Sequence, residues 1–144
     1  MLGSDDYLSP TLSNRVSQKE SPRVADTLIL IVDDDPLIRA SVAAGLEFWN
    51  LRVTTASDGQ DALEEIEKEQ PTLIILDLNM PILDGRGFAR EIQRRGLQIP
   101  IVLMSAVPDA EDAAKEIGAV AWLDKPFDLD RLFASIQRFM YPCA

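Results

Sequence analysis

Apolar residues along this chain recur in two alternating periods. Leu28-Ile29-Leu30-Ile31-Val32 is an unbroken, largely β-branched apolar run, the pattern of a strand buried on both faces. Asp35-Pro36 follows as a capping side chain and a first helical residue, which predicts a helix to about Trp49. Leu51 to Ala56 alternates weakly and predicts a second, more exposed strand. Ser57 and Asp58 offer caps for a helix that turns Ala62, Leu63 and Ile66 inward and is stopped by Pro71. Leu73 to Leu76 reads as another buried strand. Arg86 to Arg95 reads as a helix with Phe88 and Ile92 on one face and Gly96 at its end. Ile101 to Met104 predicts a fourth strand, Asp109 to Ile117 a short acidic helix ended by Gly118, and Ala119 to Leu123 a fifth strand. Asp128 caps a last helix, with Leu129, Leu132, Phe133, Ile136 and Phe139 at three-to-four spacing.

Five strands alternating with five helices predict an α/β fold, a doubly wound five-stranded parallel sheet covered on both faces. Residues 1–26 break the pattern. They carry Ser4, Ser9, Ser13, Ser17 and Ser21, with Pro10 and Pro22 and little apolar content. They read as a tail, flexible or a short docked helix: Ser9 could cap a helix with Pro10 at its first position, and Leu8, Leu12 and Val16 recur every four residues. The expected division is a tail over 1–26 and a folded domain over 27–144.

Composition narrows the function. The 144 residues fit one domain, and a hydrophobic fraction of 47% is enough for a core. Acidic residues number 24 against 14 basic, for a net charge of −10. That balance argues against direct nucleic-acid binding and favours cations or basic partner surfaces. There is no histidine. His-ligated zinc, Ser-His triads and a phosphohistidine donor within this chain are therefore excluded. The single Cys143 cannot form an internal disulfide, consistent with a reducing compartment. No apolar run approaches the roughly 18 residues of a membrane span, and no signal-like segment opens the chain, so a cytoplasmic protein without membrane insertion is expected.

Ligands of doubly wound sheets bind beyond the carboxyl ends of the strands. There the chain places Asp33, Asp34 and Asp35 after the first strand, Asp77 after the third, Ser105 after the fourth and Lys125 after the fifth. One helix cap does not need three acids. Two unit charges about 4 Å apart repel by roughly 4 kcal/mol at an effective dielectric of 20, so Asp33, Asp34 and Asp77 together point to a hard divalent cation. A few carboxylates, a carbonyl and waters suit Mg2+. Beside the metal, a free oxygen of Asp77 can attack phosphorus. The Lys125 ammonium can neutralise phosphoryl oxygens, and the Ser105 hydroxyl can hydrogen-bond one.

Val32-Asp33-Asp34-Asp35-Pro36, Leu76-Asp77-Leu78-Asn79-Met80-Pro81, Asp84-Gly85, Ser105-Ala106 and Lys125-Pro126-Phe127 together resemble the receiver domain of two-component response regulators. The resemblance runs from about Thr27 to Met140 and implies the flavodoxin-like receiver fold. It implies that Asp77 is the phosphoacceptor, that Asp34 binds Mg2+ directly and Asp33 through water, and that the Asn79 backbone carbonyl is a further ligand. It also implies that Ser105 is a switch hydroxyl, that Lys125 contacts the phosphoryl group and that the Lys125-Pro126 bond is cis. The partners implied are a sensor histidine kinase or histidine phosphotransfer protein and a downstream protein target. The target would be met on the face of the fourth helix, fifth strand and fifth helix, by a monomer or a phosphorylation-dependent dimer. With the sequence ending four residues after Met140, a stand-alone, chemotaxis-type receiver is expected.

Two positions depart from the family pattern. Trp122 stands where a switch tyrosine or phenylalanine is usual, and Val107 sets an apolar side chain near the phosphoryl entrance. Two other functions compete. A haloacid-dehalogenase-type phosphohydrolase also uses a strand-end aspartate with Mg2+, but needs a second aspartate two residues on as general acid. That position is Asn79, which cannot donate a proton in that way. A pseudo-receiver would bind partners without phosphorylation. Elsewhere, Gly85-Arg86-Gly87 lacks the phosphate-loop pattern, Asp84-Gly85 reads as a turn, Arg94-Arg95 as a solvated helix end, and Trp49 as core or rim.

Overall fold

The computed structural model describes residues 27–106, 108–125 and 128–140. The expected tail, Val107, the Lys125-Pro126 bond, Phe127, the Phe139 side chain and Cys143 lie outside the described residues. The elements are β1 Leu28–Val32, α1 Pro36–Phe48, β2 Arg52–Ala56, α2 Gly59–Lys68, β3 Leu73–Asp77, α3 Gly85–Arg94, β4 Ile101–Ser105, α4 Ala110–Ile117, β5 Ala121–Asp124 and α5 Leu129–Met140. The five strands form one sheet in the order β2-β1-β3-β4-β5, with every neighbouring pair parallel. The predicted doubly wound α/β architecture is therefore the observed one. The strand order reverses between β1 and β3, which opens a crevice at their carboxyl ends.

The apolar strand runs serve two cores at once, because alternate residues of a strand point to opposite faces. Leu30, Val32, Ile74, Leu76, Ile101 and Leu103 pack with α2, α3 and α4 through Leu63, Ile66, Phe88, Ile92 and Ile117. Ile29, Ile31, Ile75, Val102 and Met104 pack with α1 and α5 through Val42, Leu46, Leu132 and Ile136. Trp49 lies on the rim of this second core, stacked on Phe133 at a centroid distance of 4.0 Å.

Element boundaries differ from the predicted ones where helix ends recruit neighbouring residues. At the end of α1, Asn50 adopts a φ of 64°, and the N–H groups of Asn50 and Leu51 return to the carbonyls of Glu47 and Leu46. Leu51 thus completes a helix terminus, and β2 begins at Arg52. Gly118, at φ 76°, does the same for α4: Ala119 N–H reaches Ala114 O, so β5 begins at Ala121 rather than Ala119. At α3, Asp84 is the N-cap and accepts from Gly87 N–H, which makes Gly85 a helical residue and not part of a free turn. Strands β3 and β4 each extend one residue further than predicted, to Asp77 and Ser105.

Candidate functional site

The three consecutive acids after β1 have three separate environments. Asp35 caps α1 by accepting from Leu37 N–H at 2.9 Å, and Pro36 fixes the first turn. Asp33 is fully buried and bonded on every side. Its N–H donates to Ala56 O at 3.1 Å, and its carbonyl accepts from Arg39 Nη1 at 2.8 Å. Its Oδ1 accepts from Asp35 N–H at 2.9 Å, and its Oδ2 from Lys125 Nζ at 2.8 Å. Asp34 is exposed, and its carboxylate makes no hydrogen bond among the described residues.

Asp77 is the last residue of β3, and the loop after it is pinned at several points. Gly85 N–H donates to Leu78 O at 2.9 Å, Gly59 N–H to Leu83 O at 2.9 Å, and Leu83 N–H to Pro81 O at 2.8 Å. The last of these closes a three-residue turn on Ile82, whose φ is 69°. A β-branched residue in that region carries a conformational cost of about 1–3 kcal/mol. Gly85 is required by proximity, since a Cβ there would lie 2.7 Å from Asp77 O and 2.9 Å from Leu78 Cα.

These loops converge. Carboxylate oxygens of Asp33, Asp34 and Asp77 lie within 4.8 Å of one another. Lys125 Nζ bridges two of them, at 2.8 Å from Asp33 Oδ2 and 3.3 Å from Asp77 Oδ1. Burial pushes the Asp77 carboxyl up to about 6, reinforced by the charges of Asp33 and Asp34 and opposed by Lys125. Burial alone would pull the Lys125 ammonium down. Its hydrogen bond to Asp33 and the charges of Asp77 and Asp33 outweigh that and hold it above the usual lysine range.

Of the residues predicted from sequence, Asp33, Asp34, Asp77 and Lys125 are thus brought together. Ser105 lies buried at the end of β4, one residue past the β4 partner of Asp77, and its carbonyl accepts from Lys125 N–H at 2.8 Å. Asn79 lies two residues past Asp77 and is exposed. Trp122 pairs with Leu103 in the body of β5 and is 41% exposed, outside the cluster itself. Sequence reasoning missed the Arg39 contact and the Gly59–Leu83 clasp. A cation one helical turn after the Asp35 cap was the one available signal for Arg39.

A 2-1-3-4-5 parallel sheet with three clustered carboxylates and a bridging lysine at its switch point defines a flavodoxin-like domain with an acidic cluster of a kind that can hold a metal ion. The chain belongs to the response regulator receiver domain family, which it matches over residues 29–137. It is 37% identical over 122 residues to the transcriptional regulatory protein PrrA of Mycobacterium tuberculosis, covering 83% of this chain and 50% of PrrA. It is 40% identical over 111 residues to the probable transcriptional regulator ycf27 of Guillardia theta, covering 76% of this chain and 43% of ycf27. The chain therefore spans about half the length of these curated relatives. Among solved structures, it resembles the chemotaxis response regulator CheY4 of Vibrio cholerae with a TM-score of 0.72 and 32% identity, covering 78% of this chain and 98% of that one. The receiver domain of NtrX from Brucella abortus matches with a TM-score of 0.72 and 34% identity, covering 78% and 97%. The protein is a receiver of two-component signal transduction. Among the described residues, no helix is long and apolar enough to cross a membrane.

Proposed function

We propose that this receiver takes a phosphoryl group onto Asp77 from a phosphohistidine of another protein, in a Mg2+-dependent reaction, and signals the change to a protein target. One observation carries the reading: Asp77 shares a cluster of carboxylate oxygens, all within 4.8 Å, with Asp33 and Asp34, and the same Asp77 is touched by a lysine ammonium. These 144 residues contain no histidine, so the phosphohistidine lies outside them. A sensor histidine kinase or a histidine phosphotransfer protein fits, and the reaction is assigned to the cytoplasm.

The donor set fits Mg2+, which prefers a few hard oxygens and keeps several waters. The open Asp34 carboxylate is suited to direct ligation. Asp33 has both oxygens engaged by protein donors and is suited to act through water. The Asn79 carbonyl accepts no hydrogen bond among the described residues and completes the set with Asp77. Mg2+ supplies neutralisation of charge on the cluster and on the phosphoryl oxygens.

An Asp77 carboxylate oxygen attacks phosphorus. The new O–P bond forms as the P–N bond to imidazole breaks, and the imidazole departs. Lys125 remains protonated throughout and transfers one of its contacts from Asp77 to a phosphoryl oxygen. Ser105, at the neighbouring strand end, is placed to bond another. Water attack on phosphorus reverses the modification and releases phosphate. The α4–β5–α5 face, which carries the exposed Trp122, is proposed to meet the target. The test is intact-mass measurement after incubation with acetyl phosphate. Addition of one phosphoryl group with Mg2+ and none with EDTA supports the reading. No added phosphoryl group in either condition would favour a pseudo-receiver, an equal gain in both would remove the Mg2+ dependence, and sustained release of phosphate from aryl phosphates would favour a phosphohydrolase.

A further inference from the structure

Arg39 lies in the first part of α1, one turn after the Asp35 cap, and its N–H donates to Asp35 O at 3.1 Å. Side chains on a helix lean toward its N-terminus, so the guanidinium reaches back over the first turn. There Nη1 donates to the Asp33 carbonyl at 2.8 Å. Beside a cluster of acids a guanidinium would ordinarily pair with a carboxylate. Arg39 instead makes no ion pair among the described residues and bonds a backbone oxygen. Its charge repels a divalent cation, so charge alone does not explain its value to a cation site.

The bond has a geometric consequence. The Asp33 carbonyl and the Asp34 N–H belong to one rigid peptide plane. Arg39 ties that plane from its oxygen side. The next plane, between Asp34 and Asp35, is tied by the Asp35 N–H bond to Asp33 Oδ1 at 2.9 Å. Both planes flanking Asp34 are therefore held, while the Asp34 carboxylate itself bonds nothing among the described residues. We infer that Arg39 is a positioning residue for the cation site, aiming the otherwise unrestrained Asp34 carboxylate by fixing the Asp33–Asp34 peptide. This rests on the reading of the acidic cluster as a Mg2+ site.

Partners behind metal ligands commonly govern affinity by tenfold or more when removed. The test is calorimetric titration of the full chain with Mg2+, for wild type, Arg39→Met and Arg39→Lys, with urea unfolding of each in EDTA. Arg39→Met removes both donor and charge, and is expected to weaken Mg2+ binding by about tenfold. Arg39→Lys keeps a donor and the charge, and is expected to recover most of the affinity. The urea midpoints in EDTA should change far less than the affinity. If wild type binds Mg2+ and Arg39→Met binds it equally or more tightly, Arg39 does not position the site and the inference is overturned. If both variants weaken in step with a loss of stability in EDTA, the role is structural and the inference is again overturned. Failure of wild type to bind Mg2+ would remove the metal reading itself, and this inference with it.

Discussion

Replacing Asp77 with asparagine should stabilise the metal-free protein at neutral pH and leave it nearly unchanged near pH 4. The Asp77 carboxyl, ordinarily titrating at 3.8, is pushed up to about 6 by burial and by the charge of Asp33, against the pull of Lys125. Between those two values the native state binds the proton more tightly than the unfolded chain does. Stability from this group is therefore fully present below about pH 4 and is lost as pH rises through about 6. At about 1.4 kcal/mol per pKa unit, the ionised native state carries a cost of up to about 3 kcal/mol. Solvent reaching the open side of the site screens part of it, which leaves an expected gain of about 1–3 kcal/mol for Asp77→Asn. Asparagine keeps the shape and an acceptor for Lys125, so little else changes. The assay is urea unfolding of both proteins in EDTA at fixed ionic strength, from about pH 4.5 to about pH 8. The difference between them should open with rising pH and level off above about 7. A difference independent of pH, or a more stable wild type at neutral pH, would refute the reasoning.

Asp34→Asn should raise metal-free stability only slightly, by less than about 1 kcal/mol, because Asp34 is exposed and its repulsion of Asp77 is screened by solvent. Wild type should gain about 2.7 kcal/mol at a Mg2+ concentration 100 times its dissociation constant, and Asp34→Asn much less. A metal-free loss together with a wild-type response to Mg2+ would make Asp34 a structural residue. Beryllium fluoride, a phosphoryl mimic, should alter Trp122 emission in a Trp49→Phe background, because Trp122 lies half-exposed on β5 three residues before Lys125. Unchanged emission at saturation would leave any switch to Ser105 and its loop. Gly85→Ala should destabilise the domain by about 1–3 kcal/mol, measured by urea unfolding, because the added Cβ would crowd the backbone at the β3 terminus.

The strands were legible because parallel strands buried on both faces demand unbroken apolar runs, as in Leu28–Val32 and Leu73–Leu76. Such a run does not say which core each residue enters. The split of Ile29 and Ile31 from Leu30 and Val32 needed the helices in place. Boundaries moved at Leu51 and Ala119 because these apolar residues close the preceding helices, and their side chains look the same in a strand. The cluster of Asp33, Asp34, Asp77 and Lys125 was legible because topology brings strand ends to one edge. The Arg39 bond was not, because its acceptor is a backbone carbonyl that any residue would supply. The Gly59–Leu83 clasp joins the start of α2 to the β3–α3 loop, distant in sequence, and leaves no local pattern.

The most direct measurement traps the modified side chain itself. After phosphorylation with acetyl phosphate and Mg2+, borohydride reduction converts an aspartyl phosphate to homoserine, and peptide mapping locates it. Homoserine at position 77 in wild type, and no homoserine anywhere in Asp77→Asn, is the predicted result. Homoserine at Asp33, Asp34 or any other aspartate of the wild type, with Asp77 intact, would contradict it.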